Sequence, residues 1–186
     1  MLAKTCIGNG HSNGAAGYSC TIDRRCDGRI RSCDYAAGHT VRISEKRDVV
    51  IVSCGGSPYD INLIQAHKAL DMAAAACVDG GLIVLLAECG DGLGRTDFLK
   101  WFESNDSRRL ETRLREAYEV NGQTAWSLWT KAERFRVQIV TKLPNSDVRR
   151  MRMNPVRSIE DALTKVSITT KGYIMPRGAA SLPIVD

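Results

Sequence analysis

The hydrophobic pattern is clearest in the middle of the chain, where it predicts a strand, a glycine turn and a helix in succession. Val49–Val52 is a short continuous run of β-branched apolar residues, which is typical of a strand buried on both faces of a parallel sheet. Gly55 and Gly56 follow in the turn, and apolar and alanine residues then recur at helical spacing over Asn62–Val78. These elements form half of a βαβ unit, whose ligands bind beside the carboxyl ends of the strands.

The same alternation of strand and helix patterns continues along the rest of the chain. Further strands are predicted at Leu82–Ala87, Phe135–Val140 and Tyr173–Met175. Further helices are predicted at Thr96–Ser104, Ser107–Tyr118, Thr124–Glu133, Pro144–Met151 and Ile159–Lys165. The pair Gly80-Gly81 is predicted to end the central helix. We therefore expect residues 46–186 to form one α/β domain, with a mainly parallel sheet flanked by helices in Rossmann-like layers.

The residues before this domain have a different pattern. Residues 1–17 are rich in Gly, Asn and Ser, which predicts a loop or a disordered segment. Tyr18–Asp23 and Arg29–Tyr35 flank the turn signal Asp27-Gly28, which predicts a small β-hairpin. We therefore assign residues 18–45 to a hairpin and linker.

Composition is ordinary for a globular protein, with 44% hydrophobic and 25% charged residues and a formal net charge of +5. No apolar run approaches the roughly 18–20 residues that a bilayer-spanning helix needs. The N-terminus lacks the pattern of a secretory signal, so we expect a cytoplasmic location. Arginines cluster at 24–31 and 149–157 without a nucleic-acid-binding motif. We therefore expect neither a membrane nor a nucleic-acid partner, and the basic surface favours anionic ligands.

The seven cysteines form no recognisable metal or disulfide pattern. Their number is odd, no C-x-x-C pair exists, and their spacings match no common zinc site. Cys54 and Cys89 each end a predicted strand beside a glycine turn, but no neighbouring base is evident, so neither is predicted to be a nucleophile. His11, His39 and His67 are isolated in the sequence. We predict no metal site and assign no catalytic residue.

The start of the central helix has the chemistry of a small anion site. Asp60 is predicted to cap the helix, and free N–H groups at a helix start attract anions. Gln65 and Lys68 are spaced i, i+3 and share a helix face, with Asn62 one turn earlier. An amide and an ammonium group together suit a carboxylate with a neighbouring hydroxyl. An ordinary solvated helix face has the same spacing, so the pattern alone leaves both interpretations open.

A second glycine turn, Gly90–Gly94, follows the next predicted strand. Because the carboxyl ends of parallel strands share one edge of the sheet, the two glycine turns are expected to form the walls of one cleft. Asp91, Gly92 and Gly94 are therefore candidate cleft-lining residues. A carboxylate in such a turn more often caps the backbone than binds a metal.

The segment SCGGSPYDINLIQAHKALDMAA resembles the C-terminal domain of the nickel-dependent lactate racemase family. The shared pattern is a strand followed by GGxPxDxNLxQxxKxLDxA, which is long and specific. Shorter resemblances follow at 87–94, 158–163 and 175–179. In that family the Gln and Lys of the Q-x-x-K step help bind the substrate carboxylate and hydroxyl, and Gln65 and Lys68 match them. The substrate-binding residues predicted on this basis are Gln65, Lys68, Gly55, Gly56 and Asn62.

The resemblance also implies a cofactor and a further catalytic part. Family members use a nickel pincer derived from a nicotinic acid nucleotide and tethered to a Lys, and their chemistry resembles reversible hydride removal at the carbon that bears the hydroxyl. That Lys, the metal-binding His and the acid–base His pair belong to the family's N-terminal domain, whose motifs this sequence does not reproduce. We therefore expect this chain alone to bind no cofactor.

These observations predict the C-terminal, substrate-side domain of a 2-hydroxy-acid racemase or epimerase that is inactive as an isolated chain. Such a chain is a truncated member of an isomerase family, a separate half of a split enzyme, or a decayed gene product. Its expected partners are a small 2-hydroxy-carboxylate and a separate chain that carries the catalytic domain. The alternative is a non-catalytic module that binds a small anion or phosphate.

Overall fold

The computed structural model describes residues 4–6, 40–103 and 106–186, with residues 4–6 described as backbone only. The strands are β1 Lys4–Cys6, β2 Thr40–Ile43, β3 Arg47–Ser53, β4 Cys77–Leu86, β5 Arg136–Val140, β6 Asn154–Pro155, β7 Gly172–Met175 and β8 Leu182–Val185. Six of them form a sheet in the order β1-β7-β3-β4-β5-β6, and β2 and β8 form a separate pair. All of these pairings are parallel.

Five α-helices and two short 3-10 helices connect the strands in the described part of the chain. The α-helices are α1 Leu63–Ala76, α2 Ser107–Glu116, α3 Gly122–Arg134, α4 Asn145–Arg150 and α5 Ile159–Leu163. The 3-10 helices are Phe98–Glu103 and Gly178–Ala180. No helix in these residues is both long and apolar enough to span a membrane.

Alternate residues of the central strand supply the two faces of the sheet. Val50 and Val52 pack into the larger core together with the apolar side of α1. Val49 faces the other way and packs with Ala162 of α5. Burial of both faces explains the continuous apolar run, because a strand with one solvated face would alternate instead. This arrangement confirms the predicted α/β class with helices flanking a parallel sheet.

The direction of the chain explains which helices lie on which face. From β3 through β4 and β5 to β6 the chain crosses the sheet in one direction, and α1 to α4 all contribute to the larger core. The chain then returns across the sheet to β7, and α5 lies on the opposite face. Right-handed crossovers require this change of face when the direction reverses. The carboxyl ends of β3, β4 and β7 consequently meet at one edge.

The boundary between α1 and β4 differs from the prediction. The helix ends at Ala76, and the strand begins at once at Cys77, so Gly80 and Gly81 lie within the strand rather than ending the helix. The pairing of β3 with β4 is irregular between Arg47 and Val49. A Cβ atom at Gly81 would lie 2.6 Å from Cys77 Sγ. The two glycines therefore allow a tight irregularity at the start of a strand.

Several other boundaries also differ from the prediction. Lys4–Cys6 is a strand, so the predicted loop is wrong for these residues, while the predicted hairpin at 18–35 lies outside the described residues. Four short strands, β1, β2, β6 and β8, were not predicted. Edge strands of two to four residues are too short to display an alternating pattern. The predicted helix after the second glycine turn is the 3-10 helix Phe98–Glu103.

Candidate functional site

The first glycine turn leaves the carboxyl end of β3 and leads to α1. Gly55 and Gly56 have φ angles of 102° and 79°, which residues with a Cβ atom rarely adopt. The Gly55 N–H donates to Ser53 Oγ at 3.1 Å, and the Tyr59 N–H donates to the Gly56 carbonyl at 2.8 Å. The Ser57–Pro58 peptide bond is cis. The turn is therefore tightly folded, and it holds Tyr59 beside the start of the helix.

Asn62 caps α1, and the predicted cap at Asp60 is wrong. Asn62 has extended backbone angles, and its Oδ1 accepts from the Gln65 N–H at 3.0 Å, which is the geometry of an N-cap. Asp60 lies two residues too early for this bond. Its Oδ2 instead accepts from the Glu88 N–H at 3.2 Å, and its carbonyl accepts from the Cys89 N–H at 2.9 Å. Asp60 therefore ties the first turn to the end of β4.

The second glycine turn packs against the residues that begin α1. The Asp91 N–H donates to the Ile61 carbonyl at 2.8 Å, and the Gly92 carbonyl accepts from the Leu63 N–H at 3.0 Å. A Cβ atom at Gly94 would lie 2.9 Å from Asn62 Cγ. The structure thus brings the two turns together, with the second turn buttressing the helix cap. A direct role of Asp91, Gly92 or Gly94 in lining a ligand site stays a prediction.

Gln65 and Lys68 are brought into contact on the first turns of α1. Lys68 Nζ donates to Gln65 Oε1 at 2.8 Å. Because an ammonium group has no lone pair to accept with, this bond turns the amide oxygen toward Lys68 and the amide nitrogen away from it. The hydrogens left over, on Gln65 Nε2 and Lys68 Nζ, are all donors. A pair of this kind complements an acceptor such as a carboxylate.

These two residues line an open cleft with a volume of about 310 Å³. The residues that form it are Pro58, Tyr59, Ile61, Gln65, Lys68 and Ala179. Tyr59 is 52% exposed and Ile61 is 39% exposed, so both present apolar surface to the opening. The volume suits a ligand of a few heavy atoms. Such a ligand would have an apolar wall on one side and, on the other, Gln65 and Lys68, which we call the donor pair.

The sequence pattern did not predict every residue that lines the cleft. Ala179 belongs to the 3-10 helix after β7, more than a hundred residues beyond the glycine turn. Ala179 reaches the cleft because β7 pairs with β3, which places the carboxyl end of β7 beside the first glycine turn. The resemblance at 175–179 was the available signal. Tyr59 and Ile61 lie inside the recognised segment, but no pattern distinguished them from other turn residues.

The three cysteines in the described residues are buried and free: Cys54, Cys77 and Cys89. Burial raises the pKa of the Cys54 and Cys77 thiols to about 12 and that of the Cys89 thiol to about 11. A thiol with such a pKa stays protonated near neutral pH and is a poor nucleophile. Cys54 and Cys89 thus act as apolar groups beneath the turns.

His67 faces α3 rather than the cleft. Its Nδ1 contacts the Ile64 carbonyl, and its Nε2 lies 3.9 Å from Asp71 Oδ2. Asp71 Oδ1 also pairs with Lys131 Nζ at 2.6 Å and accepts from Ser127 Oγ at 2.9 Å. These interactions tie α1 to α3, which holds the helix that carries the donor pair. We assign His67 no part in ligand binding.

The residues described do not fit a nickel centre by themselves. Across 40–103 and 106–186, no three His, Cys, Asp or Glu side chains come close enough together to hold a metal ion. The polar side chains that line the cleft are the Gln65 amide, the Lys68 ammonium group and the Tyr59 hydroxyl, and an ammonium group has no lone pair with which to bind a metal. No step of a reaction is therefore assigned to a metal on these residues.

The protein-family model described as "Lactate racemase C-terminal domain" matches residues 43–174, which is well over half of the chain. This chain belongs to the lactate racemase family. The match begins at the end of β2 and ends within β7, so it includes the glycine turns and the Gln65–Lys68 pair. The resemblance read from the sequence is thus confirmed for this domain.

A curated lactate racemase from Thermoanaerobacterium thermosaccharolyticum is 31% identical over 161 residues. The alignment covers 81% of this chain but only 38% of that protein. The structure of the lactate racemase apoprotein from the same organism superposes with a TM-score of 0.73 at 30% identity, with the same two coverages. A crystal structure of a Thermotoga maritima protein has a TM-score of 0.55 at 15% identity and covers 83% of this chain and 41% of that one. The second likeness shows the fold alone.

Proposed function

We propose that this chain is the substrate-side domain of a racemase or epimerase that acts on short 2-hydroxy acids. The observation that carries the proposal is the 2.8 Å contact between Lys68 and Gln65 on the lining of the cleft, which engages the amide oxygen and leaves the remaining N–H groups as donors for a ligand. The family supports the reaction class, because the chain is 31% identical over 161 residues to a curated lactate racemase, of which the match covers 38%.

The cleft would orient the acid through its carboxylate and its hydroxyl. The Lys68 ammonium supplies the charge that a carboxylate needs, and the Gln65 amide N–H groups reach the second oxygen or the hydroxyl. The start of α1 adds a favourable partial charge, since α1 is 14 residues long and its first N–H groups point toward this end. The apolar rings and methyl groups of Tyr59 and Ile61 would face the carbon chain of the acid.

The described part of the cleft orients a substrate without reacting with it. Its lining residues include no carboxylate and no imidazole, so the acid–base pair that a racemase needs would have to be completed by residues outside this cleft. Inversion at the hydroxyl-bearing carbon requires such groups within bonding reach. We therefore propose that the reactive groups come from a further part of the protein or from a separate chain that carries the catalytic domain.

Titration calorimetry with millimolar lactate tests the proposal. The parent chain should bind weakly, and Gln65→Ala and Lys68→Ala should each abolish measurable heat. Lys165→Ala is the matched control, because Lys165 is exposed and follows α5 on the other face of the sheet. No binding by a folded parent chain, or equal loss in the control, would refute the substrate-binding role.

The alternative is a non-catalytic module for a small anion or phosphate. It is favoured by the same donors and by the helix start, neither of which requires a hydroxyl on the ligand. A thermal-shift comparison of inorganic phosphate, acetate and lactate distinguishes the two functions. Stabilisation by phosphate that exceeds stabilisation by lactate supports the alternative, whereas selectivity for lactate over acetate supports the hydroxy-acid site.

A further inference from the structure

Arg177 lies beside Gly55, and so does Tyr59, which lines the cleft. A Cβ atom placed on Gly55 would lie 3.7 Å from Arg177 Cγ and 3.8 Å from Tyr59 Cδ2. Arg177 also lies two residues before Ala179, which lines the cleft together with Lys68. The base of this arginine side chain therefore borders the same opening as the donor pair.

The backbone of Arg177 is held firmly in this position. Its carbonyl accepts from the Ser181 hydroxyl at 2.9 Å and from the Ala180 N–H at 3.0 Å. The adjoining Gly178 is pressed between β3 and α1, since a Cβ atom there would lie 2.2 Å from Val52 Cγ2 and 3.2 Å from Ala69 Cβ. The point from which the side chain extends is thus fixed by the core.

The guanidinium group of Arg177 is available to a ligand. Arg177 is exposed, and within the described ranges no hydrogen bond or ion pair engages its guanidinium. Two acidic residues beside the glycine turns, Asp60 and Glu88, have partners of their own. Asp60 accepts from the Glu88 N–H, and Glu88 pairs with Lys142 at 2.5 Å. Lys68, which lines the cleft, and Arg177, which lies beside Gly55, are accordingly two cations at one edge of the sheet, and the residues that line the cleft include no carboxylate.

We propose that Arg177 is a specificity residue that binds a second anionic group, so that the preferred ligand is a 2-hydroxy acid with two carboxylates. This inference rests on the proposed function, because Gln65 and Lys68 hold the carboxylate next to the hydroxyl. A guanidinium group binds a carboxylate through two parallel hydrogen bonds, and a monoacid such as lactate has no group to receive them. The structure thus assigns the two cations to the two ends of one short diacid.

Ligand-observed NMR titrations with lactate and with 2-hydroxysuccinate test the assignment. The parent chain should bind 2-hydroxysuccinate roughly threefold to tenfold more tightly than lactate, as expected for one additional charge-assisted contact at an exposed site. Arg177→Gln should remove this preference and leave lactate affinity within about twofold of the parent, because the contact concerns only the second carboxylate. Arg149→Gln is the matched control, since Arg149 is an exposed arginine on α4.

The outcomes separate this inference from the function on which it rests. Equal affinity of the parent chain for the two acids overturns the role of Arg177, as does an equal loss of both affinities in Arg177→Gln. In either case, loss of lactate binding in Lys68→Ala leaves the proposed function standing. Binding of neither acid by the folded parent chain overturns both. A preference for 2-hydroxysuccinate that persists in Arg177→Gln but is lost in Arg149→Gln places the second contact elsewhere and refutes the assignment.

Discussion

Lys68 Nζ and Gln65 Oε1 lie 2.8 Å apart, one helical turn from each other, at the start of a helix that Asn62 caps. The contact joins two side chains that the sequence pattern places on one face of the helix. It satisfies the only acceptor of the Gln65 side chain and leaves donors facing the cleft. The cap in turn fixes the backbone of Gln65, so the orientation of the pair depends on local hydrogen bonds rather than on a distant contact.

Gln65→Glu should weaken binding of a 2-hydroxy acid more than Gln65→Leu does. The introduced carboxylate would accept from Lys68 and present negative charge to the ligand, whereas leucine removes donors without adding charge. We expect a loss of about tenfold or more for the glutamate variant. Ligand-observed NMR titration to high lactate concentration, which detects binding too weak for calorimetry, measures it, and glutamate and leucine variants of equal affinity would show that the amide does not face the ligand.

Asn62→Ala should lower the free energy of unfolding by about 1 kcal/mol, as is usual when a helix loses its N-cap side chain. Asn62→Asp should retain most of the stability, because aspartate caps as well as asparagine does and its charge suits a helix start. Urea denaturation followed by circular dichroism provides the measurement. An alanine variant as stable as the parent chain would contradict the hydrogen bond from the Gln65 N–H to the Asn62 side chain.

Gly178→Ala should lower the free energy of unfolding by about 3 kcal/mol, because overpacking a rigid core forces neighbours to shift. The added methyl group would lie 2.2 Å from Val52 Cγ2 and 3.2 Å from the Ser53 carbonyl oxygen. Gly90→Ala is the matched control, since a Cβ atom there meets nothing within 4 Å. Similar urea midpoints for the two variants would mean that the 3-10 helix is free to move away from β3.

The buried thiols should make stability fall as the pH rises above about 9. The folded-state pKa values of Cys54 and Cys77 are raised from 9.0 to about 12, so between pH 9 and 12 the unfolded chain loses these protons while the folded chain keeps them. Their contribution is therefore fully present below pH 9 and lost as the pH approaches 12, at about 1 kcal/mol per pH unit for each thiol.

Comparison of the parent chain with Cys54→Ala isolates this effect from lysine and tyrosine titration. The variant should show a shallower decline of unfolding free energy in urea denaturation at pH 8, 9.5 and 11. Peptide mapping after alkylation at pH 8 provides a second readout, in which Cys54, Cys77 and Cys89 should react only after unfolding. Identical pH slopes for parent and variant would show that Cys54 titrates normally in the folded chain.

The centre of the fold could be predicted from the sequence because its elements are long and strongly patterned. Val49–Val52 reads as a doubly buried strand, and the structure buries Val50 and Val52 completely on one face while Val49 packs on the other. The two-residue strand Asn154–Pro155 and the four-residue strand Leu182–Val185 could not be predicted. These short strands form because they pair with strands that are distant in sequence. The local sequence does not indicate which strands those are.

The candidate site was predictable in its chemistry but less so in its geometry. Spacing alone placed Gln65 and Lys68 on one helix face, and the structure joins them by a hydrogen bond. The choice between Asp60 and Asn62 as the cap required backbone angles, since both residue types cap helices well. Ala179 reaches the cleft, and Arg177 reaches Gly55, only because β7 pairs with β3, which is a property of the sheet order.

The purified chain should not racemise lactate or another 2-hydroxy acid by itself, even when nickel and the pincer cofactor are supplied. Turnover requires a hydride acceptor and an acid–base pair held within bonding reach of the substrate carbon. The described cleft is lined by the Gln65 amide, the Lys68 ammonium group, the Tyr59 phenol and apolar side chains, and its lining includes no carboxylate or imidazole to complete an acid–base pair. A chiral assay on highly pure protein measures the outcome, with the full-length lactate racemase from Thermoanaerobacterium thermosaccharolyticum as the positive control. Stoichiometric nickel binding with turnover that disappears in Lys68→Ala would contradict the prediction, because it would show that Lys68 belongs to the reactive centre rather than to a site that only orients the substrate.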